Sequence, residues 1–486
     1  MENQDVIIVG AGIGGLVAGA LLAENGVKVL LLEQAVNVGG CAATFSHRGY
    51  RFDAGATIGC GFHPGGPMNW LAEKLDVSWP ARPLRVAWEY CDGERCIPLD
   101  SAGNGVLQTF PESRQFWREQ AELAASFWEV TACLLSLYNQ TRMRQAVSLG
   151  ACLIPKMMGV RLMRLASMSV RQWLQRHGLA ENRAFCRFLD AQLLISAQTT
   201  SSRCNAFFAA LALDLPARSP CALDRGIGTI ADILSQAIGR KGGRIHLVEK
   251  VQSLTVQGEK ISEVVTDWGR YRGKEVIVNG SDAMLAQLLF RSVPHSWAND
   301  ARAAWGAFIL HLGVDQKTMA DRAGDHLQLL RPESTALAEG SSLFLSASPL
   351  ADESRAPGGK RALSLSTHTA VAPWWQAWTQ GHDVYRRLKA EYTEKVLEVA
   401  ETYVPGLRQG IDFCLAGTPV TYARYTGRHL GLVGGYTQTR LLAPRQKRYG
   451  LKNCILVGDH CFPGQSIAGV TVGAAIVVDG LLRRLA

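Results

Sequence analysis

The stretch Asp5-Val6-Ile7-Ile8-Val9-Gly10-Ala11-Gly12-Ile13-Gly14-Gly15 decides the fold. An apolar strand runs straight into a glycine-rich turn and then into a helical stretch. Gly26 ends that helix, and a second apolar run, Val27 to Leu32, stops at Glu33. Strand, turn, helix, strand and acidic residue in that order make a βαβ dinucleotide-binding unit. Gly10 serves the tight turn, Gly12 lets backbone approach a pyrophosphate with Gly14 beside it, and Gly15 lets helix pack on strand. Glu33 is expected to accept hydrogen bonds from ribose hydroxyls. Its charge repels a 2′-phosphate, so the ligand expected is FAD or NAD and not NADP.

The residues beyond this unit favour FAD. After Glu33 come Gly39-Gly40-Cys41, Thr44 and then Gly49-Tyr50-Arg51-Phe52-Asp53-Ala54-Gly55, an extension with no place in a simple NAD domain. At the other end Cys454 to Val457 reads as a buried strand. It leads to Gly458-Asp459, a loop with Pro463-Gly464, and an apolar helix from about Ile467 and Ala468. An aspartate at a strand end can hold a ribityl hydroxyl, and a helix N-terminus aimed at a flavin stabilises its reduced anion. Between these ends Gly226-Ile227-Gly228 precedes a helix to about Arg240, Lys241-Gly242-Gly243 turns into Arg244 to Glu249, and Val251 begins a further strand.

The residues from Gly39 to Phe45, from Phe52 to Thr57, and Gly458-Asp459-His460-Cys461-Phe462-Pro463-Gly464-Gln465 resemble the FAD-dependent carotenoid desaturase and cis-trans isomerase family. The Phe-Pro-Gly-Gln version looks more like the prolycopene isomerase and C-3′,4′ desaturase branch. Similar stretches occur at Gly417 to Arg428 and at Val433-Gly434-Gly435. The resemblance implies an α/β fold: a Rossmann-type, glutathione reductase-like FAD-binding domain with an inserted α+β substrate domain. It also implies a backbone contact from Val251 to adenine. The FAD-binding domain is expected from 1–75, 220–290 and 430–486, and the substrate domain from 76–219 and 291–429. The stretches at roughly 75–215 and 290–400 read as helical and carry no matched motif.

At 486 residues with 47% hydrophobic side chains the chain exceeds a comfortable single core. Its twelve cysteines form no CxxC pair or His/Cys cluster, so neither a metal site nor a disulfide framework is expected, and the compartment should be reducing. Cys41 and Cys461 read as packing thiols. No run is long and apolar enough to span a membrane. The formal net charge of +9 is concentrated locally. From Val130 to Ala180 there is no acidic residue, while Arg142, Arg144, Lys156, Arg161, Arg164, Arg171 and Arg176 alternate with apolar side chains. Helices at 141–176 are therefore candidates to meet anionic lipid, the bland alternative being a solvated pair with a Met-rich core face. Nothing in the pattern suggests nucleic acid.

A long polyene explains a membrane-contacting patch. Moving one into water costs about 30 kcal/mol, so the enzyme must draw it from a bilayer. Trp374, Trp375 and Trp378 could line an apolar tunnel or simply fill a core. The expected protein is cytoplasmic and peripherally membrane-associated, passing electrons to a quinone or oxygen. Its expected reaction is desaturation by hydride transfer to flavin N5, with the chemistry carried by the cofactor. Arg424, Tyr425 and His460 are the polar candidates for the catalytic face. The alternatives are isomerisation on reduced FAD without net redox change, a flavin amine oxidase, and a prenyl-chain carrier resembling the GDP-dissociation inhibitors.

Overall fold

In the computed structural model, which describes residues 3–140, 165–291, 305–319, 324–332, 334–440 and 449–485, two seven-stranded sheets lie at the centre. Strands β1 (Asn3–Val9) and β2 (Val29–Leu32) flank the first helix, Ile13–Glu24. A small hairpin comes next, β3 (Thr44–His47) with β4 (Tyr50–Asp53). Then come β5 (Ala81–Pro83), β6 (Val86–Cys91), β7 (Cys96–Asp100), β8 (Cys221–Leu223) and β9 (Arg244–His246). The run β10 (Val251–Gln257), β11 (Lys260–Thr266) and β12 (Arg270–Asn279) completes the first half of the chain. The second half supplies β13 (Trp305–Asp315), β14 (His326–Leu330), β15 (Ser342–Ala347), β16 (Lys360–Ala370), β17 (Ile411–Gly417) and β18 (Cys454–Val457).

The first sheet has a parallel core in the order β9-β2-β1-β12-β18, with the β10–β11 hairpin leading into β12. Its strands are near-continuous apolar runs because both faces are covered, one by helices and the other by the β10–β11 hairpin with the Asp282–Phe290 helix. On one side Ile8, Leu31 and Ile277 pack with Leu16, Val17 and Leu21 of the first helix, with the Thr229–Arg240 helix, and with Val472, Ala475 and Val478 of the last helix, Ile467–Leu485. The chain leaves β1 for β2 on one side and reaches β12 on the other, so the order reverses beyond the carboxyl end of β1. That is the position where open α/β sheets bind ligands.

The second sheet runs β17-β13-β16-β15-β14-β6-β7, antiparallel except between β14 and β6. Phe308, Leu310, Leu312, Leu345 and Leu365 face Trp374, Val396 and Ala400 of the Val371–Gln380 and His382–Tyr403 helices. Trp374 is fully buried and stacks on Phe308, with ring centroids 5.5 Å apart. Trp378 is exposed, and Trp375 is half-buried with its indole N–H donating to the Leu430 carbonyl at 3.0 Å, so Trp374 fills a core and lines no tunnel. The helical reading of 290–400 also fails over its first part, where β13 to β16 stand. Trp305–Asp315 is a nearly unbroken apolar run buried on both faces, a pattern that periodicity cannot separate from a buried helix. On the opposite face of this sheet the β3–β4 hairpin packs Phe45 and Phe52 against His311.

The basic stretch is described only in part, and the cysteines depart from the expectation. Residues 141–164 of the basic stretch lie outside the described residues; of the remainder, Arg171 and Arg176 are exposed on the Val170–Arg176 helix, whose Trp173 and Leu174 are buried. Cys91 and Cys96 form a disulfide across the β6–β7 hairpin, contrary to the expectation from spacing. A four-residue gap carries no known signature, and only the strand register makes the two cysteines opposite neighbours. No helix among the described residues is long and apolar enough to cross a membrane.

Candidate functional site

The glycine-rich turn after β1 lies where the strand order reverses. Gly10 has φ +98°, a conformation that disfavours any side chain. A Cβ on Gly15 would sit 2.2 Å from the Gly10 carbonyl oxygen, so the first helix can pack this closely only on glycine. A Cβ on Gly14 would lie 3.0 Å from the Gly458 nitrogen. The N-terminal turn and the C-terminal motif, more than 400 residues apart, are therefore in backbone contact.

Glu33 closes the turn. Its Oε2 accepts from the Ala11 N–H at 2.7 Å and its Oε1 from the Ala35 N–H at 2.8 Å. Burial pushes its pKa up, against the pull of these backbone donors. An ionised carboxylate has about four acceptor positions, and the backbone of Ala11, Ala35 and Gln34 takes three of them, so one remains open. The Glu33 N–H donates to the His246 carbonyl at 2.9 Å, and the Glu249 N–H donates to the Glu33 carbonyl at 2.8 Å. Val251 lies two residues on, packed with Val9, Leu32 and Val278. The structure thus brings Glu33 and the start of β10 together.

The second glycine pair sits against the first. The Gly39 N–H donates to the Ala11 carbonyl at 2.7 Å, and a Cβ on Gly40 would be 3.3 Å from the Gly12 Cα. Beyond it, Thr44 donates to Asp53 Oδ1 at 2.6 Å, and the Ile227 and Gly228 N–H groups donate to Asp53 and Thr44. Arg355 donates to Asp53 Oδ2 at 2.9 Å. This buried polar knot ties the Gly226–Gly228 turn to the β3–β4 hairpin and to the second sheet.

At the C-terminal motif Asp459 Oδ2 accepts from Arg428 Nη2 at 2.5 Å. Burial opposes the charge on Asp459, but the Arg428 guanidinium and the neighbouring His460 outweigh it and hold the carboxyl below its ordinary range. Burial lowers the Arg428 pKa less than Asp459 and the Cys41 sulfur raise it, so the guanidinium stays charged. Burial pushes the Cys41 thiol up, which keeps it protonated. The Phe462–Pro463 peptide is cis, the Tyr436 hydroxyl donates to the Pro463 carbonyl at 3.2 Å, and Gly464 is in close contact with Gln438. Ile467 and Ala468 open the last helix as buried residues.

The three catalytic candidates are not placed alike. Arg424 and Tyr425 are exposed on the Pro419–Thr426 helix, the guanidinium 5.6 Å from the tyrosine ring centroid. His460 adjoins Asp459, and burial lowers its pKa, leaving the imidazole neutral at pH 7. Two site residues escape a reading of the sequence alone. Asn279 ends β12 and touches the turn, its Nδ2 donating to the Gly10 carbonyl at 3.4 Å. Its signal is a polar residue closing the apolar run Val276–Val278. Arg428 stands in the Gly427-Arg428 pair, but nothing in spacing distinguishes it from Arg424.

Residues 8–75 match the family model of an NAD(P)-binding Rossmann-like domain. The prolycopene isomerase of Daucus carota is 24% identical over an alignment covering 96% of this chain and 78% of that one. The lycopene-forming phytoene desaturase of Pseudescherichia vulneris is 24% identical over 99% of this chain and 100% of its own length. The chain is a relative of the carotenoid desaturases and isomerases. The crystal structure of an oxidoreductase from Methanosarcina mazei superposes with a TM-score of 0.65 at 17% identity, covering 98% of this chain and 100% of that one, which shows the shared fold. In this relative of the carotenoid enzymes the matched Rossmann segment contains Gly10 to Glu33 and the Gly39-Gly40 pair, the N-terminal half of the site.

Proposed function

We propose that the protein is an FAD-dependent oxidoreductase that desaturates a carotenoid or a similar long polyene. The reading is carried by the backbone contact between the Gly10–Gly15 turn and Gly458-Asp459, in a chain related over nearly its full length to carotenoid desaturases. The residues present fit the cofactor. Gly12 and Gly14 leave room for the Asn279 amide and the Gly458 backbone, and Gly40 for the Gly12 backbone, so the turn is built mainly of main chain; Glu33 retains an acceptor position, and Val251 stands beside it for adenine. The N–H groups opening the Ile13–Glu24 helix favour a diphosphate. Gly39, Gly40 and Cys41 line the same approach, and Arg428 offers a cation beside them. Asp459 would accept hydrogen bonds from ribityl hydroxyls, and Pro463, Gly464, Ile467 and Ala468 would present the start of the last helix to the flavin.

When bound, FAD would supply the hydride acceptor. The chain's own task is to bind, orient and keep dry. His460 is the proposed proton-accepting side chain at the catalytic face, neutral and adjacent to Asp459. Arg424 and Tyr425 form the exposed rim where substrate enters. A substrate of this length does not cross water, so the protein is proposed to sit on a membrane surface as a peripheral enzyme, its basic stretch toward anionic lipid. A quinone or oxygen takes the electrons.

The test uses purified protein in liposomes with an acyclic carotene under anaerobic conditions. Bleaching of the yellow absorbance together with a product lighter by a hydrogen pair is expected. A product of unchanged mass and altered absorbance spectrum would mean isomerisation instead, amine-dependent peroxide an amine oxidase, and a colourless protein that binds prenyl chains a carrier.

A further inference from the structure

The β6–β7 hairpin carries a constellation that the redox site does not use. Glu89 and Cys91 are alternate residues of β6 and so project from one face, and Cys96 is the direct cross-strand partner of Cys91. One carboxylate oxygen and the two sulfurs lie within 4.8 Å of one another. The turn between the cysteines is set by Asp92, whose Oδ1 accepts from the N–H groups of Glu94 and Arg95 at 3.2 and 3.0 Å. Gly93 takes φ +98° there.

Glu89 supplies an independent observation. Its residue is 9% exposed, and its buried Oε1 has no hydrogen-bond partner. Across from it Gly324 leaves space, since even an added Cβ would stay 3.8 Å from that oxygen. A buried carboxylate oxygen without a partner is costly unless a donor or a cation meets it. Cys91 is fully buried, whereas Cys96 is exposed and free to turn its sulfur away once the bond is cut.

We propose that Glu89, Cys91 and Cys96 form a site for a thiophilic divalent cation of the Zn2+ class, available when the disulfide is reduced. An external dithiol or phosphine supplies two electrons and, with solvent, two protons; the S–S bond breaks and two thiols form. The cation then binds both thiolates as two protons leave, and the Glu89 carboxylate is the third ligand. Tetrahedral zinc at about 2.3 Å from sulfur and 2.0 Å from oxygen needs ligand atoms about 3.5 Å apart, within the spread seen here. Solvent on the Cys96 side completes the shell. Oxidation to the disulfide removes both sulfur ligands, so metal and disulfide exclude each other.

Full-length protein reduced with a phosphine and titrated with Co2+ should develop a thiolate-to-cobalt charge-transfer band at one equivalent, and Zn2+ should abolish it by displacement. Cys96→Ser should lose the band. Glu89→Gln should weaken binding by about tenfold or more, at least the cost of losing a group that only supports a ligand. In the unsubstituted protein Zn2+ should slow alkylation of Cys96, read by peptide mass mapping, which needs no variant to fold. Absence of the band in reduced protein, its persistence in Cys96→Ser, or alkylation of Cys96 at the same rate with and without Zn2+ would each overturn the site. None of these readouts depends on flavin or polyene, so the site and the proposed redox activity stand or fall separately.

Discussion

The parallel sheet keeps its strands apolar and places its polar contacts beyond their carboxyl ends, on Glu33, Asn279 and Asp459, whereas the second sheet carries polar side chains through its interior. His311, Ser364, Ser346 and His326 are register partners on β13, β16, β15 and β14. His311 Nδ1 and Ser364 Oγ lie 3.0 Å apart, His326 Nδ1 and Ser346 Oγ also 3.0 Å, and Thr57 joins Ser346 at 2.8 Å. A cavity of about 20 Å³ adjoins the row, enough for one water, and the buried His326 Nε2 has no protein partner. A site made of backbone at strand ends tolerates a charged ligand because the chain itself supplies donors. A polar row inside a sheet stays neutral because burial removes the charged form.

That contrast predicts different responses to acid, the largest effect expected. Burial pushes His311 and His326 down to about 3. In the unfolded chain each takes a proton near pH 6.5. Below that pH the unfolded state binds more protons, so this stability is whole above pH 6.5 and is lost as pH falls toward 3. Each histidine costs on the order of 1 kcal/mol per pH unit, several kcal/mol for the pair between pH 6 and 4. Asp459 is held below its ordinary value, so its contribution is whole above pH about 4 and fails only below. Urea denaturation at pH 7, 5 and 4 measures the difference, and a midpoint unchanged down to pH 5 would erase the contrast.

Removing a charge at the strand ends comes next. Arg428→Met leaves the half-buried Asp459 beside His460 without its main partner and should cost about 2–3 kcal/mol, less than for a fully buried pair because both side chains keep some solvent contact. The double variant with Asp459→Asn should recover part of it, as a double-mutant cycle in denaturant would show. Gly15→Ala forces a Cβ onto the Gly10 carbonyl and should cost about 2 kcal/mol, by the same measurement. Gly239→Ala, in the Thr229–Arg240 helix with open space around it, should instead gain about 0.5–1 kcal/mol. The smallest effects belong to the rim. Arg424→Ala and Tyr425→Ala should change stability by less than about 0.5 kcal/mol and raise KM more than they lower kcat in steady-state assays with vesicle-bound substrate.

The same contrast explains which parts of the molecule are legible in its sequence. Gly10 to Glu33 and Cys454 to Ala468 are legible as strand, turn and helix, because a backbone-built turn repeats fixed spacings and each glycine answers a local steric demand, whereas Val251 is singled out only by the family resemblance. Asn279 and Arg428 are not, since their importance comes from which strand end and which loop fall beside the turn. The second sheet reads as partly helical because β13 is apolar on both faces. Its row of histidines and serines, like the Cys91–Cys96 pairing, exists only through strand register. Register in turn depends on distant partners such as His311 and Ser364, 53 residues apart in the chain.

Everything proposed for the redox chemistry requires that the two ends of the chain enclose one FAD, and flavin content measures that enclosure. Purified protein, reconstituted with FAD and freed of excess, should carry one flavin per chain by visible absorbance. Gly14→Val with native far-ultraviolet dichroism should carry none, because its side chain would wedge between the turn and Gly458. A folded, unsubstituted protein that takes up no flavin, or a Gly14→Val variant that retains it in full, would refute the enclosure.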